Sequence, residues 1–187
     1  KFMIWSFDER LAFSKGERGE RDAEILRNAI PNCVNVRKTD DETDRKGIDY
    51  IATLNGGAEI GIDVKARGKG VSKYWKDGKE DLLLEVWSVY PDGNNKGKIG
   101  WTLSDKTNVD FILYTFDEED SNKYYLLPYQ LLRMAFKHNG RAWMNKYGAK
   151  YAYSEFWRTQ NIFVPVSVVM DAIKAEMEGV IKEGDNL

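Results

Sequence analysis

The sequence predicts an α/β domain. Three observations carry that expectation. Apolar residues recur at helical spacing near both ends of the chain, and residues 47–67 alternate about a turn signal. Two further runs, DLLLEVWSVY and VDFILYTF, have the apolar composition of buried strands. A length of 187 residues suits one domain with a substantial core. No apolar run approaches the ~20 residues that span a bilayer, so no membrane partner is expected. The opening KFMIWSFDER has no extended apolar stretch before its charges, unlike a secretory signal. Cys33 is the only cysteine, which excludes an internal disulfide and points to a reducing compartment, the cytoplasm. With His138 as the only histidine, neither a structural zinc site nor a Cys–His nucleophile pair is expected.

Residues 16–30 read as the first helix, with Ile25, Leu26, Ala29 and Ile30 as its apolar stripe and Pro31 as its stop. A short strand is expected at 32–36 with Cys33 buried, then a charged loop over 37–46. The hairpin follows, GIDYIATLNGGAEIGIDVKAR, turning at Asn55-Gly56-Gly57. Residues 68–80 form a Gly- and Lys-rich connection, and 81–90 a strand interrupted by one acid, Glu85, expected to reach the site or to pair with a lysine. Beyond a polar turn, Gly100-Trp101 leads to a core strand at 109–116, with Asp110 at its start. A short strand at 124–127 precedes a helix from Pro128 to about Lys137, ended by Asn139-Gly140, with His138 at its end. Residues 141–158 interleave bases with aromatics, 161–164 form a last strand, and Pro165 opens a final helix. The whole reads as a single domain, 1–187, in which 128–160 are a candidate helical and aromatic insertion.

The hairpin concentrates the chemistry. If Leu54 faces Ala58 across a three-residue loop, Asp49 faces Asp63, and facing Cβ atoms lie about 4.5–5.5 Å apart. Period two then puts Ile48, Tyr50, Ala52, Leu54, Ala58, Ile60, Ile62 and Val64 on an apolar face and Asp49, Asp63 and Lys65 on the other. Two facing carboxylates repel unless one takes a proton or a cation lies between them, and aspartate oxygens suit Mg²⁺ or Mn²⁺. The plainer reading of the same residues is a polar outer face with a surface ion pair.

An Asp opening one strand followed by (Asp/Glu)-x-Lys closing the next, here Asp49 and Asp63-Val64-Lys65, resembles the PD-(D/E)xK nuclease superfamily. Gly47-Ile48-Asp49 departs from the Pro-Asp of the pattern. Lys15-Gly16-Glu17-Arg18-Gly19-Glu20-Arg21 resembles the Lys-Gly-x-x-x-Glu-Arg opening of the first helix in archaeal Holliday junction resolvases. The resemblance covers roughly the first 67 residues and, more weakly, the strands to about 116.

It implies a restriction endonuclease-like fold, a mixed central sheet flanked by helices and opening with an αβββ core. It implies metal-dependent hydrolysis of DNA phosphodiesters, junction-resolving or restriction-like, at Glu20, Asp49, Asp63 and Lys65. Asp49, Asp63 and the Val64 carbonyl would hold Mg²⁺ or Mn²⁺ with help from Glu20, for which Glu24 is a substitute. Lys65 would position the attacking water or stabilise the transition state, and a symmetric homodimer is the expected assembly. The alternatives are a module that keeps the fold without cleavage and an unrelated α/β protein with surface acids. Net charge is −2, unlike a dedicated nucleic-acid binder. Phosphate contact is therefore expected from local bases: Lys69, Lys73, Lys76 and Lys106 near the site, and Arg141, Lys146 and Lys150 in the aromatic stretch.

Overall fold

The computed structural model describes residues 17–44, 47–68, 70–93, 95–105, 109–117 and 123–184. The first helix, α1 (Glu17–Ala29), ends at Pro31 and at Asn32, whose φ of 58° turns the chain back. It buries Ala23 and Leu26, with Ile30 one turn on, against the next three strands. These are β1 (Cys33–Lys38), β2 (Tyr50–Leu54) and β3 (Glu59–Arg67), an antiparallel meander. The register is Tyr50↔Ile62, Ala52↔Ile60 and Thr53↔Glu59, as the three-residue loop requires. Leu54 N–H donates to Ala58 O at 2.8 Å, and Gly56 and Gly57 take φ of 111° and 88° in the turn.

Part of the expected charged loop is ordered differently. Arg37 and Lys38 continue β1, and Asp41–Asp44 form a single helical turn, α2, begun by Asp40 Oδ1 accepting from Thr43 N–H at 2.8 Å. Cys33 is half-buried rather than buried, its Sγ 3.4 Å from the Asn35 carbonyl.

After β3 the chain makes two 3₁₀ turns, Val71–Tyr74 and Lys76–Gly78, then β4 (Asp81–Val89) and the short β5 (Lys98–Ile99). It returns as β6 (Phe111–Phe116), parallel to β3, and β7 (Tyr124–Pro128), antiparallel to β6. The result is a mixed five-stranded sheet of order β1-β2-β3-β6-β7. The remaining elements are α3 (Tyr129–Tyr147), β8 (Ala149–Tyr153), β9 (Arg158–Pro165) and α4 (Val166–Gly184).

The architecture departs from expectation in two places. DLLLEVWSVY does not join the mixed sheet: β4 pairs with β9 in a second, antiparallel sheet of order β5-β4-β9-β8. Its buried alternate residues Leu82, Leu84 and Val86 meet Ile112, Tyr114 and Phe116 of β6 in the larger core. Residues 128–160 are also no appendage, because α3 brings Tyr129, Leu132, Ala135, Phe136 and Trp143 into that same core. Each such large apolar side chain contributes roughly 1.5–3 kcal/mol by leaving water.

The helix expected to stop at Asn139-Gly140 runs through it. Gly140 is buried where an added Cβ would lie 2.8 Å from Phe136 Cε1, so close packing rather than capping selects the glycine. Asn139 Nδ2 donates to Ala135 O at 2.9 Å, a bond made within the helix. The helix ends at Gly148, φ 77°, whose N–H reaches Met144 O at 3.0 Å. His138 is consequently mid-helix, with Nδ1 2.6 Å from Glu176 Oε1 on α4. Among the described residues no helix is long and apolar enough to cross a membrane.

Candidate functional site

The hairpin sorts its side chains as period two requires. Tyr50, Ala52 and Ile62 pack under α1, while Asp63, Lys65 and Arg67 share the opposite face with Ile112, Tyr114 and Phe116 of the parallel neighbour. Asp49 stands one residue ahead of β2. Its N–H donates to Ile62 O at 2.9 Å, and its own carbonyl accepts from Thr39 N–H at 3.0 Å, so its backbone is held from both sides.

Main-chain pairing with β3 ends there, and the Asp49 side chain takes over the edge. Its Oδ2 accepts from Val64 N–H at 2.6 Å. Within a strand a residue's N–H and C=O face the same neighbour. The Val64 carbonyl therefore faces the side on which Asp49 stands, while Gly61 and Arg67 carbonyls accept from Asp110 and Asp117 on the β6 side.

Asp63 is 4% exposed. Lys65 Nζ clamps it, 2.7 Å from Oδ1 and 2.6 Å from Oδ2. Burial is the largest cause that raises the Asp49 pKa, followed by the charge of Asp63, and a hydrogen bond shared with Asp63 adds to both. The Val64 N–H and the Lys65 charge oppose the rise. The pair is thus a strained charge arrangement held together by one lysine and one amide.

Trp101 covers the lysine, with its ring centroid 5.8 Å from Nζ. Glu85 explains why the tryptophan sits there. Its Oε1 accepts from Ser88 Oγ–H at 2.6 Å and from Trp101 N–H at 3.4 Å. Gly100 packs so tightly on Glu85 that an added Cβ would lie 2.3 Å from its carbonyl oxygen. Glu85 therefore anchors the Gly100-Trp101 turn, and the expectation that it reaches the carboxylates or pairs with a lysine is corrected. Asp110 also acts locally, since its Oδ2 accepts from Gly61 N–H at 2.8 Å and pins β6 to β3.

Glu20 and Glu24 are not brought to the aspartates. Both line a cleft of about 560 Å³ with Arg27, Lys38 and Tyr50, and Glu20 is exposed. The reason is topological: α1 packs on the apolar face of the hairpin, and Asp63 and Lys65 stand on the other. Among the described residues, no third His, Cys, Asp or Glu completes a metal-holding group with Asp49 and Asp63.

One carboxylate escaped sequence reasoning. Asp22 is 3% exposed on α1, with Arg18 Nε at 3.7 Å and Arg21 Nη2 at 3.5 Å, and both arginines also reach Asp117. Burial raises its pKa, the two arginines lower it and Asp117 raises it again. The Arg18–Asp22 spacing of four was the available signal.

Of the bases expected to meet phosphate, Lys69 and Lys106 lie outside the described residues, as does the Lys76 side chain. Arg141 is exposed on α3, and Lys73 Nζ lies 4.9 Å from the Tyr74 ring. Lys146 and Lys150 share a groove of about 690 Å³ with Arg67, Tyr74, Lys79 and Phe163. Within the aromatic stretch, Arg158 is taken up by packing, 4.4 Å from Tyr90 and 5.3 Å from Tyr151. No protein-family model, curated protein or solved structure matches the chain.

Proposed function

We propose that the chain is a metal-dependent nuclease that hydrolyses DNA phosphodiester bonds at Asp49, Asp63 and Lys65. The observation that carries this reading is Asp49 Oδ2 on the Val64 amide, which holds a half-buried carboxylate beside the buried Asp63 where the β2–β3 pairing ends. The donor set fits a hard divalent cation such as Mg²⁺ or Mn²⁺. Two carboxylates whose mutual repulsion helps raise the Asp49 pKa would be relieved by positive charge, and the Val64 carbonyl supplies a third oxygen on the same side. Such an ion, when bound, acidifies a water and neutralises charge on the phosphate.

The protein's own part is distinct. Asp49 and Asp63 orient the oxygens, and Lys65, hydrogen-bonded to Asp63, supplies a positive charge for the phosphoryl oxygens or a donor that holds the attacking water. The Trp101 ring covers one side of that ammonium, and Glu85 holds the Trp101 backbone in place. Glu20 has no part in this reading.

The second reading is a nucleic-acid-binding or interaction module without cleavage. The bidentate Lys65–Asp63 clamp favours it, because that clamp already neutralises one carboxylate. Cleavage of supercoiled plasmid, single-stranded DNA and a four-way junction separates the two, with Mg²⁺, Mn²⁺ or EDTA, for wild type and Lys65→Ala. Metal-dependent cutting lost in Lys65→Ala is the expected result. No cutting on any substrate and no Mg²⁺ binding by calorimetry would refute the nuclease.

A further inference from the structure

The groove beyond the candidate site combines charge and aromatic surface in a way neither aspartate explains. Arg67 lies two residues past Lys65 on the same face of β3, about 7 Å along the strand. It pairs with Asp81 at 2.6 Å and stacks 4.9 Å from the Phe163 ring, forming the groove floor nearest the site. Lys79, Lys146 and Lys150 line the rest against one further carboxylate, Asp77, and none of these lysines is in an ion pair among the described residues. Tyr74, 69% exposed, stands at the rim with Lys73 beside its ring.

We propose that this groove binds an unpaired nucleic-acid strand, with the lysines on its phosphates and Tyr74 stacked on a base. The inference extends the nuclease reading by naming its substrate class, and rests on it for the path toward Lys65. Cationic charge alone suits any polyanion. Rings inside a concave groove discriminate, because they stack only on bases whose faces are uncovered, and a duplex hides those faces between neighbouring pairs. Asp63, Lys65 and Arg67 run along one face of β3 from the carboxylates to the groove.

The test is anisotropy of a labelled oligo(dT) and of a duplex of equal length, in EDTA so that binding is read without cleavage, over a range of salt. Wild type is expected to bind the oligo(dT) more tightly than the duplex. Lys146→Ala with Lys150→Ala should reduce the salt slope by about 1.4, from roughly 0.7 per single-strand phosphate contact. Tyr74→Ala should weaken binding about fivefold or more at unchanged slope. All three side chains are exposed or at a groove wall, and circular dichroism verifies their folding. Equal or tighter duplex binding, no oligo(dT) binding, or variants indistinguishable from wild type would each overturn the proposal. Groove-dependent binding by a wild type that cuts nothing and binds no Mg²⁺ would support it and overturn the nuclease reading alone.

Discussion

Lys65→Met tests the geometry of the carboxylate pair without reference to activity. Methionine keeps most of the aliphatic stem near Trp101 and removes the ammonium that lies 2.6–2.7 Å from both oxygens of Asp63. Breaking a buried pair by deleting one partner costs about 3–5 kcal/mol, because a charge is left without compensation. The Lys65 side chain is 29% exposed, so solvent screens part of the effect and the expectation falls to about 2–3 kcal/mol. For a chain of this size that is a Tm loss of about 4–12 °C. The loss should be larger at pH 8 than at pH 5, because burial and the Asp63 charge raise the Asp49 pKa and a proton on Asp49 relieves the repulsion. Asp63→Asn combined with Lys65→Met should recover much of it, because the orphaned charge is gone. Urea denaturation in EDTA at both pH values measures all of these. A Lys65→Met variant within about 0.5 kcal/mol of wild type at both pH values, the range of an ordinary surface substitution, would refute the reasoning. A double variant no more stable than the single would do the same.

Asp49 gives a pH profile of definite sign. Its folded pKa is raised above 3.8, chiefly by burial, so the folded state holds that proton more tightly than the unfolded chain. Its contribution favours folding below 3.8 and is lost as pH rises through the raised value. Asp49→Asn should therefore flatten the profile over that window and be more stable than wild type at pH 7 by urea titration, while losing any Mg²⁺ binding seen by calorimetry. Gly140→Ala gains about 1 kcal/mol of helix propensity and meets Phe136 at 2.8 Å, an overpacking that costs about 1–3 kcal/mol. A net loss of roughly 0–2 kcal/mol is expected, and a stabilised protein in thermal melts would show that α3 does not pack as described. Asp110→Ala removes the bond to Gly61 N–H and should lower stability by about 0.5–1.5 kcal/mol with an unchanged m-value.

The hairpin was legible because its information is local. A three-residue turn and a period of two suffice to put Asp63 and Lys65 on one face and Ile62 on the other, and the structure has that register. The first helix and its stop, the core strand at β6 and the final helix were readable for the same reason. The charged loop and Asn139-Gly140 misled because composition was read as conformation. Arg37 and Lys38 are drawn into β1 by pairing with Ile51 and Tyr50, and Gly140 is selected by a ring one turn earlier.

By itself, then, the amino-acid sequence determined the α/β class, the pairing of β2 with β3, and the neighbourhood of Asp49, Asp63 and Lys65. The hairpin and its acids are set by contacts within a short stretch of chain. Only the tertiary structure decided that β4 finds β9 across the length of the chain and builds a second sheet. It decided which side of the hairpin α1 covers, and hence that Glu20 stands apart from the aspartates. It also gave Glu85 to Trp101 and gathered Arg67, Lys79, Lys146 and Lys150 around one groove. Those outcomes depend on which apolar faces bury against each other, and an apolar pattern records that a face is buried without recording its partner.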